Sequence, residues 1–95
     1  MHIITKKRII QAADQHKSCN TALLGWYKVM KDAELRDFAE LKALFNSVDK
    51  VGNVFVFNIG GNKLRLVAAI HFNTQKVFIR AILTHKEYDK DKWKV

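Results

Sequence analysis

The sequence predicts an α+β fold with two to three N-terminal helices on one face of an antiparallel sheet and a short helix at the C-terminus. Apolar residues recur at helical spacing in the first half, whereas short runs with strand-like alternation dominate the second half. The chain has 95 residues and is 48% hydrophobic, which suits one domain around one core. No linker, repeat or low-complexity segment interrupts it, so we expect residues 1–95 to form a single domain.

Three strands joined by short turns make up the predicted sheet. The strands cover residues 54–58, 63–71 and 75–83, and the turns are Gly60-Gly61-Asn62 and Asn73-Thr74. Strands joined by turns this short must run antiparallel. The sheet therefore comes from one continuous stretch of the chain.

Alternation along these strands sorts the side chains onto two faces. The apolar face contains Phe55, Phe57, Leu64, Leu66, Val77, Ile79 and Leu83. The opposite face, called the basic face below, contains Val54, Val56, Asn58, Lys63, Arg65, Val67, Phe78 and Arg80. We expect Arg65 and Arg80 to lie near each other on adjacent strands. The apolar face needs a cover, and the basic face is a candidate binding surface.

Two helices are predicted before the sheet. Thr5 has the position of an N-cap for a first helix that extends to about His16. The second helix begins at Ser18 or Asn20. Its buried side contains Leu23, Trp26, Tyr27 and Met30. Because the break between the helices is short, they should form an antiparallel hairpin across the apolar face.

A shorter third helix is predicted from the apolar residues that follow. These residues are Phe38, Leu41, Leu44 and Phe45. From there through Asn53 we expect irregular structure. The pair Trp26-Tyr27 has two interpretations, core packing or a platform for base stacking, and its helical spacing favours core packing.

The stretch from Thr84 to Tyr88 ends the last strand and begins the C-terminal helix. Thr84-x-x-Glu87 matches a capping box, in which the two side chains satisfy free backbone N–H groups at a helix start. His85 then lies in the first turn, and Tyr88 lies on the same side three residues later. A surface histidine beside a core tyrosine would match the same pattern, but the neighbouring basic face favours a functional site.

Positive charge is concentrated towards the C-terminus. The net charge is +8, and residues 62–95 carry eight basic and three acidic side chains against nine and six in residues 1–61. This bias predicts a polyanionic partner, nucleic acid first, that contacts the sheet. An anionic membrane surface is the alternative, but no segment has the pattern of a basic amphipathic helix with exposed aromatic residues.

We expect a cytoplasmic protein without a metal or cofactor. Cys19 is the single cysteine, no apolar run approaches the length of a membrane span, and the N-terminus does not match a signal peptide. The four histidines and Cys19 lack metal-ligand spacing. Gly60-Gly61-Asn62-Lys63 lacks the spacing of a phosphate loop and predicts a hairpin turn.

Several motifs resemble the HigB-type toxins of type II toxin–antitoxin systems. They are Phe57-Asn58-Ile59-x-Gly61-Asn62-Lys63-x-Arg65-Leu66, Ile79-Arg80, Thr84-His85-x-Glu87-Tyr88-Asp89-Lys90, Leu41-Lys42-x-x-Phe45 and Trp26-Tyr27-Lys28. The resemblance covers nearly the whole chain. It implies a RelE-like fold and an endoribonuclease that cleaves mRNA, typically during translation on the ribosome. It also implies a helix-turn-helix antitoxin of the HigA type and, through that antitoxin, contact with operator DNA.

The resemblance also implies roles for individual residues. By motif, the catalytic set is Arg65, Arg80, His85 and Tyr88. The residues expected to bind RNA are Asn58, Lys63, Lys86 and Lys90. Leu64 stands where the family has an aromatic residue, and Lys86 stands where a small residue is common.

These residue types suit RNA cleavage by the 2′-OH. Arginine binds phosphate oxygens bidentately and keeps its charge, so it can stabilise a phosphorane. Histidine can take or give a proton near neutral pH. Tyr88 can stack on a base, position the phosphate or donate a proton, and the sequence leaves open which residue is base and which is acid.

Two other classes of function fit the same composition. One is a non-catalytic basic module that binds RNA or ribosomes, which would release no RNA fragments. The other is a structural partner of an acidic protein, which would form a stable complex and ignore RNA.

Overall fold

A five-stranded sheet runs through the computed structural model, which describes residues 1–61 and 63–90. The strands are β1 (His2–Ile3), β2 (Asp49–Val51), β3 (Val54–Ile59), β4 (Leu64–His71) and β5 (Lys76–Thr84). Their order is β1-β5-β4-β3-β2, so β4 lies at the centre. β1 runs parallel to β5, and the other neighbours are antiparallel. The three predicted strands are confirmed.

The two edge strands were not predicted. β1 has two residues and β2 has three, which is too short for alternation to be visible in the sequence. The expectation of irregular structure through Asn53 is therefore wrong at β2, which joins β3 through a tight turn at Gly52 and Asn53. The three predicted strands are antiparallel as expected, and β1 makes the sheet mixed because it runs parallel to β5.

Helices α1 to α3 precede the three long strands in the order predicted. They are α1 (Lys6–Gln15), α2 (Asn20–Asp32) and α3 (Phe38–Leu44), and α4 (His85–Asp89) follows β5. A 3₁₀ turn, Lys17–Cys19, separates α1 from α2. None of the helices in the described ranges combines the length and apolarity needed to cross a lipid bilayer.

The core lies between α1, α2 and α3 and the apolar face of the sheet. Its largest fully buried side chains include Ile9, Leu23, Met30, Leu41, Phe57 and Leu66. Trp26 and Phe45 each pack edge-on against Phe57, with ring centroids 5.3 Å apart in both pairs. Trp26 is 3% exposed, so it packs in the core and does not present a stacking platform.

A β-bulge interrupts the pairing of β4 with β5. Val67 pairs with Ala81 and Ala68 pairs with Ile79, so Arg80 is an extra residue in β5. Beyond the bulge the alternation is shifted by one residue. Leu83 consequently pairs with Arg65 and lies on the basic face, and its predicted place on the apolar face is wrong.

Thr5 fixes β5 next to this bulge. It precedes α1 as predicted, but its side chain makes no cap hydrogen bond. Instead, Thr5 Oγ1 accepts a hydrogen bond from the backbone N–H of Ile79 at 2.6 Å. Because Ile79 adjoins Arg80, this bond ties the start of α1 to the strand at the point where its register changes.

Replacing Thr5 with valine should destabilise the fold. Valine keeps the shape but cannot accept the Ile79 N–H, and a part-buried donor without a partner costs about 1–3 kcal/mol. Urea unfolding measures the change, and Thr5→Ser, which retains the hydroxyl, is the matched control. Equal free energies of unfolding for the valine and serine variants would contradict this assignment.

Candidate active site

Arg65 is the one buried charged residue in the described part of the chain, at 8% exposure. It lies on β4, between Asn58 of β3 and Leu83 of β5. Val56 and Val67 pair on the same face and are 3% and 2% exposed. The floor beside the guanidinium is therefore apolar, and electrostatic interactions there are less screened than in water.

Three groups contact the Arg65 guanidinium. Nη1 donates to the carbonyl oxygen of Leu64 at 3.3 Å, and Nη2 lies 3.4 Å from Nδ1 of His85. Cζ lies 5.7 Å from the centroid of the Tyr88 ring, within the range of a cation–π contact. Arg65, His85 and Tyr88 are called the Arg65 cluster below.

Arg65 has no carboxylate within ion-pair distance among residues 1–61 and 63–90. Burial of a cation is unfavourable unless an opposite charge and hydrogen bonds compensate it. Here a carbonyl, an imidazole nitrogen and an aromatic face compensate it, and none of these carries a full negative charge. The Arg65 cluster is therefore suited to receive an anion.

The contact with Arg65 determines the role of each His85 nitrogen. A guanidinium has only N–H donors, so Nδ1 must be the acceptor. The proton of the neutral imidazole then lies on Nε2, which is 3.6 Å from Oδ2 of Asp89. His85 therefore lies between Arg65 on its Nδ1 side and Asp89 on its Nε2 side.

A capping box holds α4 at the end of β5, as predicted. The N–H of Glu87 donates to Thr84 Oγ1 at 3.2 Å, and the N–H of Thr84 donates to Glu87 Oε1 at 2.9 Å. The Thr84 backbone N–H, followed by the Thr84 side chain, hydrogen-bonds the Glu87 carboxylate and lowers the pKa of Glu87 below its ordinary value. The cap fixes the first turn of α4, from which His85 and Tyr88 both reach Arg65.

Arg80 is offset from Arg65 along β5. It is exposed at the bulge, and Arg65 pairs with Leu83, three residues further along β5. In the described ranges the Arg80 side chain has no hydrogen bond or ion pair to the cluster. The bulge offsets Arg80 along β5 from the Arg65–Leu83 pair, and the expectation that the two arginine side chains lie near each other stays a prediction.

The four residues expected to bind RNA are all exposed. They are Asn58 next to Arg65, Lys63 in the turn before β4, Lys86 in the first turn of α4 and Lys90 at its C-terminal end. They come from the sheet, the turn and α4, and so from the elements that adjoin the cluster. No group of three His, Cys, Asp or Glu side chains that could hold a metal ion occurs in the described residues.

Two neighbours of the cluster were missed as functional residues. Asp89 faces the protonated nitrogen of His85, and its spacing of four residues on a helix could have indicated this contact. Leu83 lies opposite Arg65 and is partly buried. Its position depends on the bulge, so no pattern in the sequence could have found it.

Helices on one face of a five-stranded sheet, with a short helix after the last strand, are consistent with a RelE-like fold. A family model described as HigB_toxin, RelE-like toxic component of a toxin-antitoxin system, matches residues 19–91. The mRNA interferase toxin HigB of Escherichia coli (strain K12) is 39% identical over 92 residues, which cover 94% of this chain and 88% of that protein.

A second relative is more distant. The mRNA interferase HigB of Escherichia coli O6:H1 (strain CFT073) is 32% identical over 93 residues, which cover 95% of this chain and 90% of that protein. The chain therefore belongs to the HigB family of RelE-like toxins, as its motifs indicated. Membership of a toxin–antitoxin family implies an antitoxin partner.

The capping box should weaken in acid. The pKa of Glu87 lies below its ordinary value of 4.5, so the folded state favours the carboxylate. The resulting stabilisation is fully present above about pH 4.5 and is lost as the pH falls through the folded pKa of Glu87. A pH titration of the Thr84 amide by NMR measures this change.

Glu87→Gln is the control for this titration, because glutamine keeps an oxygen acceptor for the Thr84 N–H but does not titrate. The Thr84 amide of the glutamine variant should show no step in this pH range. An identical pH curve for both proteins would show that the Glu87 carboxylate does not accept this bond.

Proposed function

We propose that this chain is a toxin endoribonuclease that cleaves mRNA on the translating ribosome by attack of the 2′-OH on the adjacent phosphate. Cleavage in the cytoplasm would stop translation and growth until a helix-turn-helix antitoxin binds the toxin. The names of the relatives, mRNA interferases, support the substrate. The observation that carries the mechanism is the buried Arg65, which lacks a carboxylate partner in the described residues and adjoins His85 and Tyr88.

Arg65 stabilises the charge that develops on the phosphorane. Its guanidinium is already held by the Leu64 carbonyl in an apolar part of the sheet, so little reorganisation is needed during the reaction. A phosphate oxygen is a stronger acceptor for a guanidinium than a neutral imidazole nitrogen. The scissile phosphate therefore takes over the Nη2 donor that faces His85.

His85 acts as the general base. When the phosphate binds Arg65, Nδ1 loses its donor and becomes free to accept the proton of the 2′-OH. The 2′-oxygen then attacks phosphorus, and the ring becomes an imidazolium with N–H groups on both nitrogens. Asp89, 3.6 Å from Nε2, stabilises this cation and keeps Nδ1 directed to the substrate.

Tyr88 acts as the general acid. We assign its hydroxyl to the leaving-group side of the same phosphate, because its ring lies 5.7 Å from Cζ of Arg65. As the bond between phosphorus and the 5′-oxygen breaks, the phenol gives its proton to that oxygen. The products are a 2′,3′-cyclic phosphate and a 5′-OH.

Arg80 and the exposed residues around the cluster bind the rest of the RNA. Because Arg80 is exposed and displaced along β5, we assign it to a flanking phosphate. The contact with RNA extends on the other sides of the cluster through Asn58, Lys63, Lys86 and Lys90. Contacts of this kind position the strand and depend on charge more than on base identity.

Variants of the cluster should lose cleavage and keep the fold. His85→Ala and Tyr88→Phe should each slow single-turnover cleavage by about 10²–10⁴-fold. Arg65→Met, which preserves volume without charge, should cost about 10²–10³-fold. Arg80→Ala should mainly raise the RNA concentration needed for half-maximal cleavage. It should lower the cleavage rate at saturating RNA by a smaller factor.

Lys76→Ala is the matched control, because Lys76 is an exposed cation at the opposite end of β5. Cleavage of mRNA on translating ribosomes gives the rate for each variant, and a thermal melt shows whether its fold is retained. A His85→Ala protein that melts normally and cleaves at the rate of the unmodified chain would refute the assigned base.

The cleavage step should need no divalent metal at the cluster, because side chains supply the base, the acid and the phosphorane-stabilising charge. Mass spectrometry of the fragments released from translating ribosomes should find 2′,3′-cyclic phosphate and 5′-OH ends. Fragments with a 5′-phosphate would contradict this mechanism. The absence of any fragments would favour the non-catalytic RNA-binding module.

A further inference from the structure

The outer edge of β3 is only half covered. β2 pairs with β3 at residues 54–56, and no strand of the described residues lies beside residues 57–59 on that side. A two-residue turn joins β2 to β3, and Gly52 in this turn has φ +59°. In a hairpin with a two-residue turn, the flanking residues, here Val51 and Val54, form the closing hydrogen-bonded pair. By alternation, Val56 and then Asn58 direct their N–H and C=O groups to this edge.

Asn58 is the residue whose backbone groups are left at the open edge. No helix or loop in the described ranges forms a backbone hydrogen bond with its N–H or C=O, and the residue is exposed. Unpaired strand edges of this kind can accept an additional strand from another chain.

A groove of about 170 Å³ runs beside this edge, between the sheet and α2. It is lined by Ala22, Gly25, Trp26, Val29, Phe45, Asn58, Ile59 and Gly60. Small residues of α2 keep it open, since a Cβ at Gly25 would meet no atom within 4 Å. Val29 is 42% exposed at the groove. We call this feature the edge groove.

Positive charge at the Lys63 end of the edge groove favours an acidic occupant. None of its lining residues is acidic, and the chain has a net charge of +8. The Cβ of Lys63 lies 3.8 Å from the position that a Cβ of Gly60 would take, so Lys63 stands at one end of the groove.

We propose that the edge groove binds an extended, acidic segment of the antitoxin that this family implies. The segment pairs with β3 through the N–H and C=O of Asn58 and places alternate apolar side chains between α2 and Phe45. Main-chain hydrogen bonds provide affinity, and the groove selects the side chains. The proposal concerns binding alone and does not depend on the cleavage mechanism.

Gly25→Leu tests the groove. Leucine has a higher helix propensity than glycine and meets no neighbouring atom at Cβ, so the free toxin should fold normally. It fills the space that the segment needs, and the dissociation constant should rise by at least about tenfold. The probe is the full-length antitoxin of the same operon, measured against the full toxin chain by calorimetry.

Leu24→Ala is the matched control. Leu24 is on the same helix and is 48% exposed, but it does not line the edge groove. Its loss should leave the dissociation constant within about twofold, since contacts outside an interface contribute little. A normal affinity for Gly25→Leu, with the fold intact, would overturn the proposal.

Hydrogen exchange of the unmodified chain provides a second measurement. The Asn58 amide should exchange rapidly in the free toxin and slowly in the complex, whereas the Val56 amide, already opposite β2, should be slow in both. An Asn58 amide that remains rapid in the complex would overturn the proposed pairing. Protection of Asn58 in a dimer of the free toxin would assign the edge groove to a second copy instead.

Discussion

The burial of Arg65 on the central strand is the constraint on which the candidate site depends. A cation at 8% exposure in a strand of apolar neighbours is unfavourable on its own. The Leu64 carbonyl, the acceptor nitrogen of His85 and the ring of Tyr88 compensate it only in part. In the proposed mechanism a phosphate group supplies the missing charge, so the same burial that weakens the free protein would strengthen the interaction with RNA.

The position of α4 follows from the need to compensate the buried charge of Arg65. Two of the three compensating groups come from its first four residues, so the helix must begin where β5 meets Arg65. The capping box of Thr84 and Glu87 starts it there, and the bulge at Arg80 brings Leu83 opposite Arg65. Thr5 holds β5 beside that bulge through the Ile79 N–H. Contacts therefore connect the N-terminal segment to the candidate site through the register of β5.

The two faces of the sheet are specialised for different contacts. Helices α1, α2 and α3 cover the apolar face and form the core, which leaves the basic face for a polyanion. Small residues on α2 leave the edge of β3 uncovered at Asn58. Asn58 pairs with Arg65 on the neighbouring strand, so the edge groove begins one strand away from the candidate site.

The sequence by itself determined the features that depend on neighbours in the chain. Alternation in residues 54–83 gave the long strands, helical spacing gave the three N-terminal helices, and the Thr84–Glu87 spacing gave the start of α4. Only the tertiary structure decided the short edge strands, the face of Leu83, the offset of Arg80 and the acceptor nitrogen of His85. Each of these depends on hydrogen bonds between distant segments, such as Thr5 to Ile79 or Arg65 to His85, which leave no periodic signal in the sequence.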